Sequence, residues 1–306
     1  MEEGRKIFER FYEDINSLHL HFECLDSTQQ YCRRNMNRFI EENKLRDDNM
    51  IIVSCNKQNH GIGTRDTYKN EDRIWLSEEG NVFVTFLFLW NDDLIDKVKL
   101  LTQTCTVAIS KTLESFYLVT QIKWINDVYV NYKKISGCLI HMYHHMENQK
   151  DHNIMKNNNK KNNNNKNNNN NKKKKKICLL VGIGINVNLE DQNNILNNNY
   201  TSVKKEYLQD FDTPKLIPTV EQITLKLIIN VKHAINTLCK EGFTEFLNYI
   251  ISRLLYKDKK VIINQDNQYI VGYLKGLLHD GSLLLLTEDN KFINVHTGRL
   301  HVKDDD

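Results

Sequence analysis

Lys123-Trp124-Ile125-Asn126-Asp127-Val128-Tyr129-Val130-Asn131-Tyr132-Lys133-Lys134-Ile135-Ser136-Gly137 places two short apolar runs, 128–130 and 135–143, on either side of a polar Asn-Tyr-Lys corner. That pattern predicts a β-hairpin. Around it cluster three lysines, an Asn-Asp pair, a tryptophan and a glycine that lets something approach the backbone closely. Cations on a rigid sheet, with one carboxylate beside them, suit a small anionic ligand. The plainer alternative is an amphipathic hairpin with solvated lysines, and the rest of the chain decides between them.

Outward from the hairpin, the second strand continues to residue 143 and then composition collapses. From about residue 146 to 176 the chain is polar, and residues 156–176 are all Asn or Lys. Such a segment has nothing to bury and is expected to be a disordered insertion. Apolar character resumes at 177–188 as another strand, so the insertion is expected to join two paired strands. Lengthening a turn by some thirty residues costs only about 2 kcal/mol of closure entropy, which a fold can carry. His141, His144 and His145 border the tract, but a metal site there lacks a further ligand.

Toward the N-terminus, residues 19–25 read as a strand, followed by Asp26-Ser27-Thr28 ahead of a helical segment at 29–44. These residues are N-cap formers, and the same hydroxyls could instead hold a ligand's polar head. Residues 50–55 read as a strand. A glycine-containing polar loop, 58–66, then runs on to Trp75, and a loop of that length inside a compact domain suits a ligand lid. Residues 82–89 are apolar almost throughout, as in a strand buried on both faces. Segments 94–116, 220–238 and 243–255 have helical spacing, and 191–212 reads as a polar connection. The last fifty residues hold short strands at 261–263, 269–278, 282–287 and 292–295, with an Asp280-Gly281 turn signal between two of them. They predict a small barrel-like β-domain.

The 306 residues carry a formal charge of +3, but nine of the 42 basic side chains lie in the Asn/Lys tract. Setting those nine aside leaves 33 basic against 39 acidic side chains, a net of −6, which disfavours a general nucleic-acid surface. Seven dispersed cysteines without a C-x-x-C pair suit core thiols in a reducing compartment. The longest apolar run, 82–90, is too short to span a bilayer, and the first residues show no signal or transit character. A soluble cytoplasmic protein is expected, with organelle association left open. Gly182-x-Gly184 is not a dinucleotide fingerprint, because the third glycine is absent and no helix follows.

Together these segments resemble the biotin–protein ligase (holocarboxylase synthetase) family, in the form without an N-terminal DNA-binding domain. Lys123-Trp124-Ile125-Asn126-Asp127 resembles the family's K-W-P-N-D. Lys133-Lys134-Ile135-Ser136-Gly137 resembles K-K-[IL]-[AS]-G, and Leu25-Asp26-Ser27-Thr28-Gln29 is similar to D-S-T-N. Trp75-Leu76-Ser77 with Gly80-Asn81 looks like W-x-S-x-x-G-N, and 181–188 looks like G-I-G-I-N-V-N. Five motifs in the same order, over nearly all of 20–302 outside the insertions, are specific. The resemblance implies an α+β fold. A mixed sheet packed with helices, like class II synthetases, would form a catalytic domain at 1–257, and an SH3-like barrel would follow at 258–306. The roughly 18 residues before the first expected strand leave no room for a winged helix, so DNA-binding repression is not expected.

The implied reaction joins biotin and ATP into biotinoyl-5′-AMP, then transfers biotin to a lysine of a biotin carboxyl carrier domain, such as that of acetyl-CoA carboxylase. By position, Lys134 would be catalytic. Ser27, Thr28, Gln29, Gln58, Gly61 and Gly137 would bind biotin. Gly63, Thr64, Arg65, Trp75, Lys123, Asn126, Asp127 and Asn186 would bind ATP or the adenylate, with Asp127 and Asn186 near a Mg²⁺. A homodimer is compatible with the family. The departures lie in the lid: Ile62 and Thr64 stand where the family's G-R-G-R-x-G has arginines, and Ile125 replaces proline. Fewer guanidinium contacts imply a leakier adenylate. A lipoate–protein ligase also carries an N-D…K-x-S-G hairpin, but its R-R-x-G-G-G lid is missing here. A degenerate, non-catalytic ligase-like binding module is the alternative from a different class.

Overall fold

The computed structural model describes residues 4–66, 71–145, 176–189, 199–209, 216–265 and 268–302. All of the Asn/Lys tract but Lys176 therefore lies outside the described residues. The chain builds β1 (Lys6–Tyr12), β2 (Ser17–Leu25), α1 (Thr28–Glu41), β3 (Met50–Gln58), β4 (Ile62–Asp66), β5 (Glu71–Ile74) and β6 (Val82–Asn91). It continues through α2 (Ile95–Glu114), β7 (Gln121–Lys123), β8 (Asp127–Val130), β9 (Lys133–His145), β10 (Lys176–Ile185), α3 (Val203–Gln209), α4 (Val220–Lys240) and α5 (Thr244–Arg253). The last strands are β11 (Lys260–Gln265), β12 (Gln268–Leu277), β13 (Leu283–Leu286), β14 (Phe292–Val295) and β15 (Arg299–Val302).

Eight strands form one mixed sheet in the order β1-β2-β3-β6-β10-β9-β8-β7. Among the described strands only β2 and β3 pair in parallel, because α1 carries the chain back over the sheet between them. The centre is β6 and β10, whose runs V-F-V-T-F-L-F-L-W and I-C-L-L-V-G-I-G-I are buried almost throughout, as strands covered on both faces must be. On one face Phe86, Val181 and Ile183 meet Leu101, Ile109, Leu227 and Val231 of α2 and α4. On the other, Phe22, Ile51, Cys178 and Leu180 meet Tyr31, Cys32 and Phe39 of α1. Helix α4 opens with a capping box, Gln222 N donating to Thr219 Oγ1 at 3.2 Å and Thr219 N to Gln222 Oε1 at 2.9 Å.

The α+β class and the C-terminal β unit are as expected from sequence. The C-terminal strands pair in the order β14-β13-β12-β11-β15, and Leu274, Leu283 and Val295 join the core that α2 lines. The Asp280-Gly281 turn does more than reverse the chain. The Gly281 carbonyl accepts from Gln103 Nε2 of α2 at 2.8 Å and from Trp124 Nε1 at 3.0 Å. Both bonds are buried, and each contributes about 1 kcal/mol net.

Three expectations are corrected. The first strand is β1, not β2. As an edge strand with mostly exposed residues, K-I-F-E-R-F-Y has one neighbour and little apolar signal. The connection 191–212 contains α3, seven residues long with only Val203 and Glu206 buried, too short to show a period. The lid contains a two-stranded ribbon, β4–β5, rather than structureless chain.

A directed hydrogen-bond chain holds the β1 edge. Tyr12 OH lies 3.3 Å from His19 Nδ1, His19 Nε2 is 2.7 Å from Ser54 Oγ, Ser54 Oγ is 2.7 Å from His21 Nδ1, and His21 Nε2 is 3.0 Å from Asn56 Oδ1. Every link is satisfied when both imidazoles are neutral and protonated at Nε2. Phe8 stacks on His21, with ring centroids 4.9 Å apart. Burial, then the His21 and Arg10 charges, pull His19 down to about 3. His21 is also lowered by burial, against an upward pull from Asn56 and Glu221. An unfolded chain takes the His19 proton near 6.5, whereas the folded one refuses it until about 3. Stability held above pH 6.5 is therefore lost as pH falls through that window, by about 1.4 kcal/mol per pH unit. Urea midpoints between about pH 7 and 4 should fall less steeply for His19→Gln than for the unaltered chain; parallel slopes would contradict the assignment.

Candidate active site

The cavity that gathers most of the expected site residues lies on the α1 face of the sheet, where β10 changes from Cys178 and Leu180 to Gly182 and Gly184. It encloses about 140 Å³. Neither glycine has a positive φ, so both serve to leave space. A Cβ at residue 182 would fall 2.5 Å from Gln29 Nε2, and one at 184 would fall 2.6 Å from the Trp75 indole. Two residues along an extended strand separate these contacts, roughly 7 Å. The amide of Gln29 thus lies at one position of the floor and the indole of Trp75 at the next.

Around the amide the groups are neutral and polar. Ser27 occupies the N-cap position of α1, but its side chain makes no capping hydrogen bond, and the residue lines the cavity at 2% exposure. The N-cap reading of Ser27 is thereby replaced by a hydroxyl available to a ligand. Its backbone N–H donates to Asp26 Oδ1 at 2.8 Å, and the hydrogen-bonded Arg34 guanidinium holds Asp26 below the usual carboxylate range. Gln58 joins helix and lid. Its Oε1 accepts from Thr28 N at 2.9 Å and Thr28 Oγ1 at 3.2 Å, and its Nε2 donates to Ser77 Oγ at 2.9 Å. Ser77 in turn donates to the Trp75 carbonyl at 2.8 Å, which accounts for a serine two places after the tryptophan. Gly61 sits behind this network, where a Cβ would come within 2.3 Å of Ser77 Oγ.

At the indole the character changes. Lys134 Nζ lies 2.7 Å from Asp127 Oδ1 and 5.2 Å from the centre of the Trp75 ring. A β-bulge brings it there. Asp127 pairs with Gly137 and Val128 with Ser136, but Tyr129 pairs with Lys134. Regular alternation from Gly137 would turn residue 135 to the cavity. The extra residue instead sends Ile135 into the core and Lys134 to the cavity. The corner closes with Asn131 and Tyr132 both at positive φ, 49° and 60°, as a two-residue hairpin turn requires. Asn126 braces the start, its Nδ2 donating to Cys138 O at 3.1 Å and its O accepting from Cys138 N at 2.9 Å. Trp75 Nε1 is buried without a hydrogen-bond partner, a donor ready for an acceptor.

Besides Gly61, which sits behind the Gln58–Ser77 network and not on the wall, two expected residues stand elsewhere. Asn186 is not on the cavity wall; its Nδ2 donates to Thr201 O at 3.1 Å and its O accepts from Val203 N at 3.0 Å. Lys123 also lies off the wall, with Nζ 5.6 Å from the Tyr129 ring centre. Gly63 lines the cavity, while the side chains of Thr64 and Arg65 lie outside the described residues. The residue that sequence reading missed is Tyr200. The clamp made by Asn186 sets it on the wall, with Lys134 N donating to Asn199 O and Thr201 N to Lys134 O, each at 2.9 Å. Its only signal is position, after a polar run with no pattern. Magnesium does not fit as a protein-held ion. Asp127 is already ion-paired, Asn186 is turned away, and no group of three or more His, Cys, Asp or Glu converges among the described residues.

A family model described as "Biotin/lipoate A/B protein ligase family" matches residues 21–157. The match covers a little under half of the chain. The Bacillus subtilis bifunctional ligase/repressor BirA is 32% identical over 124 residues, covering 40% of this chain and 34% of BirA. Its Bacillus spizizenii counterpart is 35% identical over 92 residues, covering 30% of this chain and 26% of its own length. The matched segment thus spans about a third or less of these relatives. The structure of the Aquifex aeolicus biotin protein ligase in complex with biotin and ATP shares the fold, with a TM-score of 0.65 over 93% of this chain and 98% of that one, at 24% identity. Among the described residues no helix is long and apolar enough to cross a membrane.

The glycine floor makes a direct prediction. Gly184→Ala should displace the Trp75 indole and shift its emission to longer wavelength, while the buried Trp90 and Trp124 and the thermal midpoint stay within a few degrees of the original, because the extended backbone accepts alanine. An unchanged emission spectrum would mean that the indole does not rest on residue 184.

Proposed function

We propose that the chain is an ATP-dependent biotin–protein ligase. The observation that carries this reading is that one cavity joins a floor of neutral hydrogen-bonding groups to a lysine ammonium held by a single carboxylate. The hydroxyl of Ser27 and the amides of Gln29 and Gln58 suit a cyclic urea, which is neutral and offers both N–H and C=O. A dithiolane ring offers neither and would leave the Ser27 hydroxyl and the remaining amide N–H of Gln29 unpaired, a penalty that discriminates against it.

The first step brings the biotin carboxylate onto the α-phosphorus of ATP. A bond forms between carboxylate oxygen and phosphorus, the bond to pyrophosphate breaks, and biotinoyl-5′-AMP results. Two unit anions about 4 Å apart repel by about 1 kcal/mol in bulk water and about 4 kcal/mol at an effective dielectric near 20. Lys134 offsets that repulsion and the charge that develops as the bonds change, and Asp127 holds its Nζ in place. Trp75 offers a rigid face for adenine, and Asn126 lies beside the same wall. Magnesium enters as part of the nucleotide substrate, carried on the phosphates. In the second step the neutral amine of a carrier-domain lysine attacks the acyl carbon, the bond to the phosphate breaks, AMP leaves and the amine sheds its proton.

No enzyme nucleophile is needed. Cys138, the cysteine on the cavity wall, has its thiol pushed well up by a hydrogen bond with Cys105 and by burial, which keeps it protonated. The seven free thiols suit a reducing compartment such as the cytoplasm. The acceptor is a lysine on a biotin carboxyl carrier domain.

Lys134→Ala should cut pyrophosphate release by about a hundredfold or more while biotin affinity changes less than about threefold. Near-normal adenylation by this variant would remove Lys134 from its role. Offered biotin and lipoate with ATP and a carrier domain, the enzyme should label with biotin alone; lipoate labelling would reverse the assignment. Ile62 lines the cavity where an arginine would grip the adenylate phosphate. Ile62→Arg should therefore slow release of biotinoyl-AMP relative to carrier labelling, and equal release by both proteins would show that residue 62 does not set retention.

A further inference from the structure

Gln29 is held on three sides. Its Nε2 donates to the Leu139 carbonyl at 2.7 Å, its Oε1 lies 2.8 Å from His141 Nδ1, and its amide lies against Gly182. Leu139 O can only accept, so the nitrogen of the amide must face it and the oxygen must face His141. His141 Nδ1 therefore carries a proton. The side chain is 6% exposed and borders both the main cavity and a smaller one of about 100 Å³ that it shares with Arg33, His141 and Tyr143. After the bond to Leu139, one Gln29 N–H is left over.

We propose that His141 is a positioning residue for head-group recognition, fixing the Gln29 amide so that its remaining N–H meets a neutral carbonyl oxygen, such as that of a cyclic urea. This deepens the biotin ligase reading and rests on it. His141 sits on β9 two residues beyond Leu139, so strand alternation turns its imidazole to the face on which Gln29 lies, while Leu139 contributes its backbone carbonyl. An imidazolium also keeps Nδ1–H, so protonation of His141 leaves the contact intact.

Biotin affinity measured by calorimetry tests the role. His141→Ala should weaken biotin binding about five- to tenfold, the loss of one buried neutral hydrogen bond, and leave the KM for ATP unchanged. His141→Asn should restore affinity to within about twofold, because an asparagine Nδ2 takes the place of the imidazole Nδ1. In a Gln29→Ala background, His141→Ala should cost nothing further. Additive losses, an equal loss for ATP, or no restoration by asparagine would overturn the proposal. If the unaltered protein fails to bind biotin, the parent reading falls. The ring tautomer, read from nitrogen-15 spectra without ligand, still decides the contact, and a proton on Nε2 alone would overturn it.

Discussion

Everything at this site depends on how closely side chains can approach the backbone of β10. A central strand in a two-layer core normally presents a side chain to each face at alternate positions, and β10 does so as far as Leu180. At 182 and 184 it presents hydrogen on the α1 side and isoleucine on the other. The core under α2 and α4 is thus uninterrupted while the opposite face opens into a cavity. An amide and an indole lie where β-carbons would otherwise be. The cavity costs the fold little, because only one of the two faces gives up its packing.

The cationic part of the site comes from a second local device. A one-residue bulge in β9 exchanges the faces of Lys134 and Ile135, so core packing and site chemistry are secured by the same irregularity. Behind it, the Gly281 carbonyl draws donors from α2 and from Trp124. The C-terminal sheet therefore buttresses the chain just ahead of β8. The tryptophan of the Lys-Trp-Ile-Asn-Asp run is a structural strut, while its neighbours Asn126 and Asp127 face the cavity.

What could be read from sequence follows these physical levels. The hairpin, the central strands and the long helices were legible because their apolar periods are strong. Ser27, Thr28, Gln29, Trp75 and Lys134 were legible through motifs of the resembled family and Gln58 through its position ahead of the lid, and the structure brings all six to one cavity. Asn186 was misplaced because a motif marks a residue as needed without saying why. Here the need is a clamp on the 199–203 segment, and Tyr200, which that clamp positions, sits in sequence that shows no pattern. The bulge was hidden as well, since two adjacent lysines look equivalent until strand register separates them. The β1 edge and α3 were missed because exposure and shortness leave little apolar contrast.

The thirty residues between His145 and Lys176 join the ends of two strands that pair without interruption from Ser136 and Ile185 to those ends. Gly137, beside Lys134, lies eight residues from His145, roughly 27 Å along an extended strand. The fold thus has a remote junction where chain can be gained or lost without disturbing register, because every rung between it and the cavity is already fixed. A sequence can drift in length and composition at such a place under almost no chemical constraint. A single added carbon at Gly182 or Gly184, by contrast, falls directly on the side chains that line the floor.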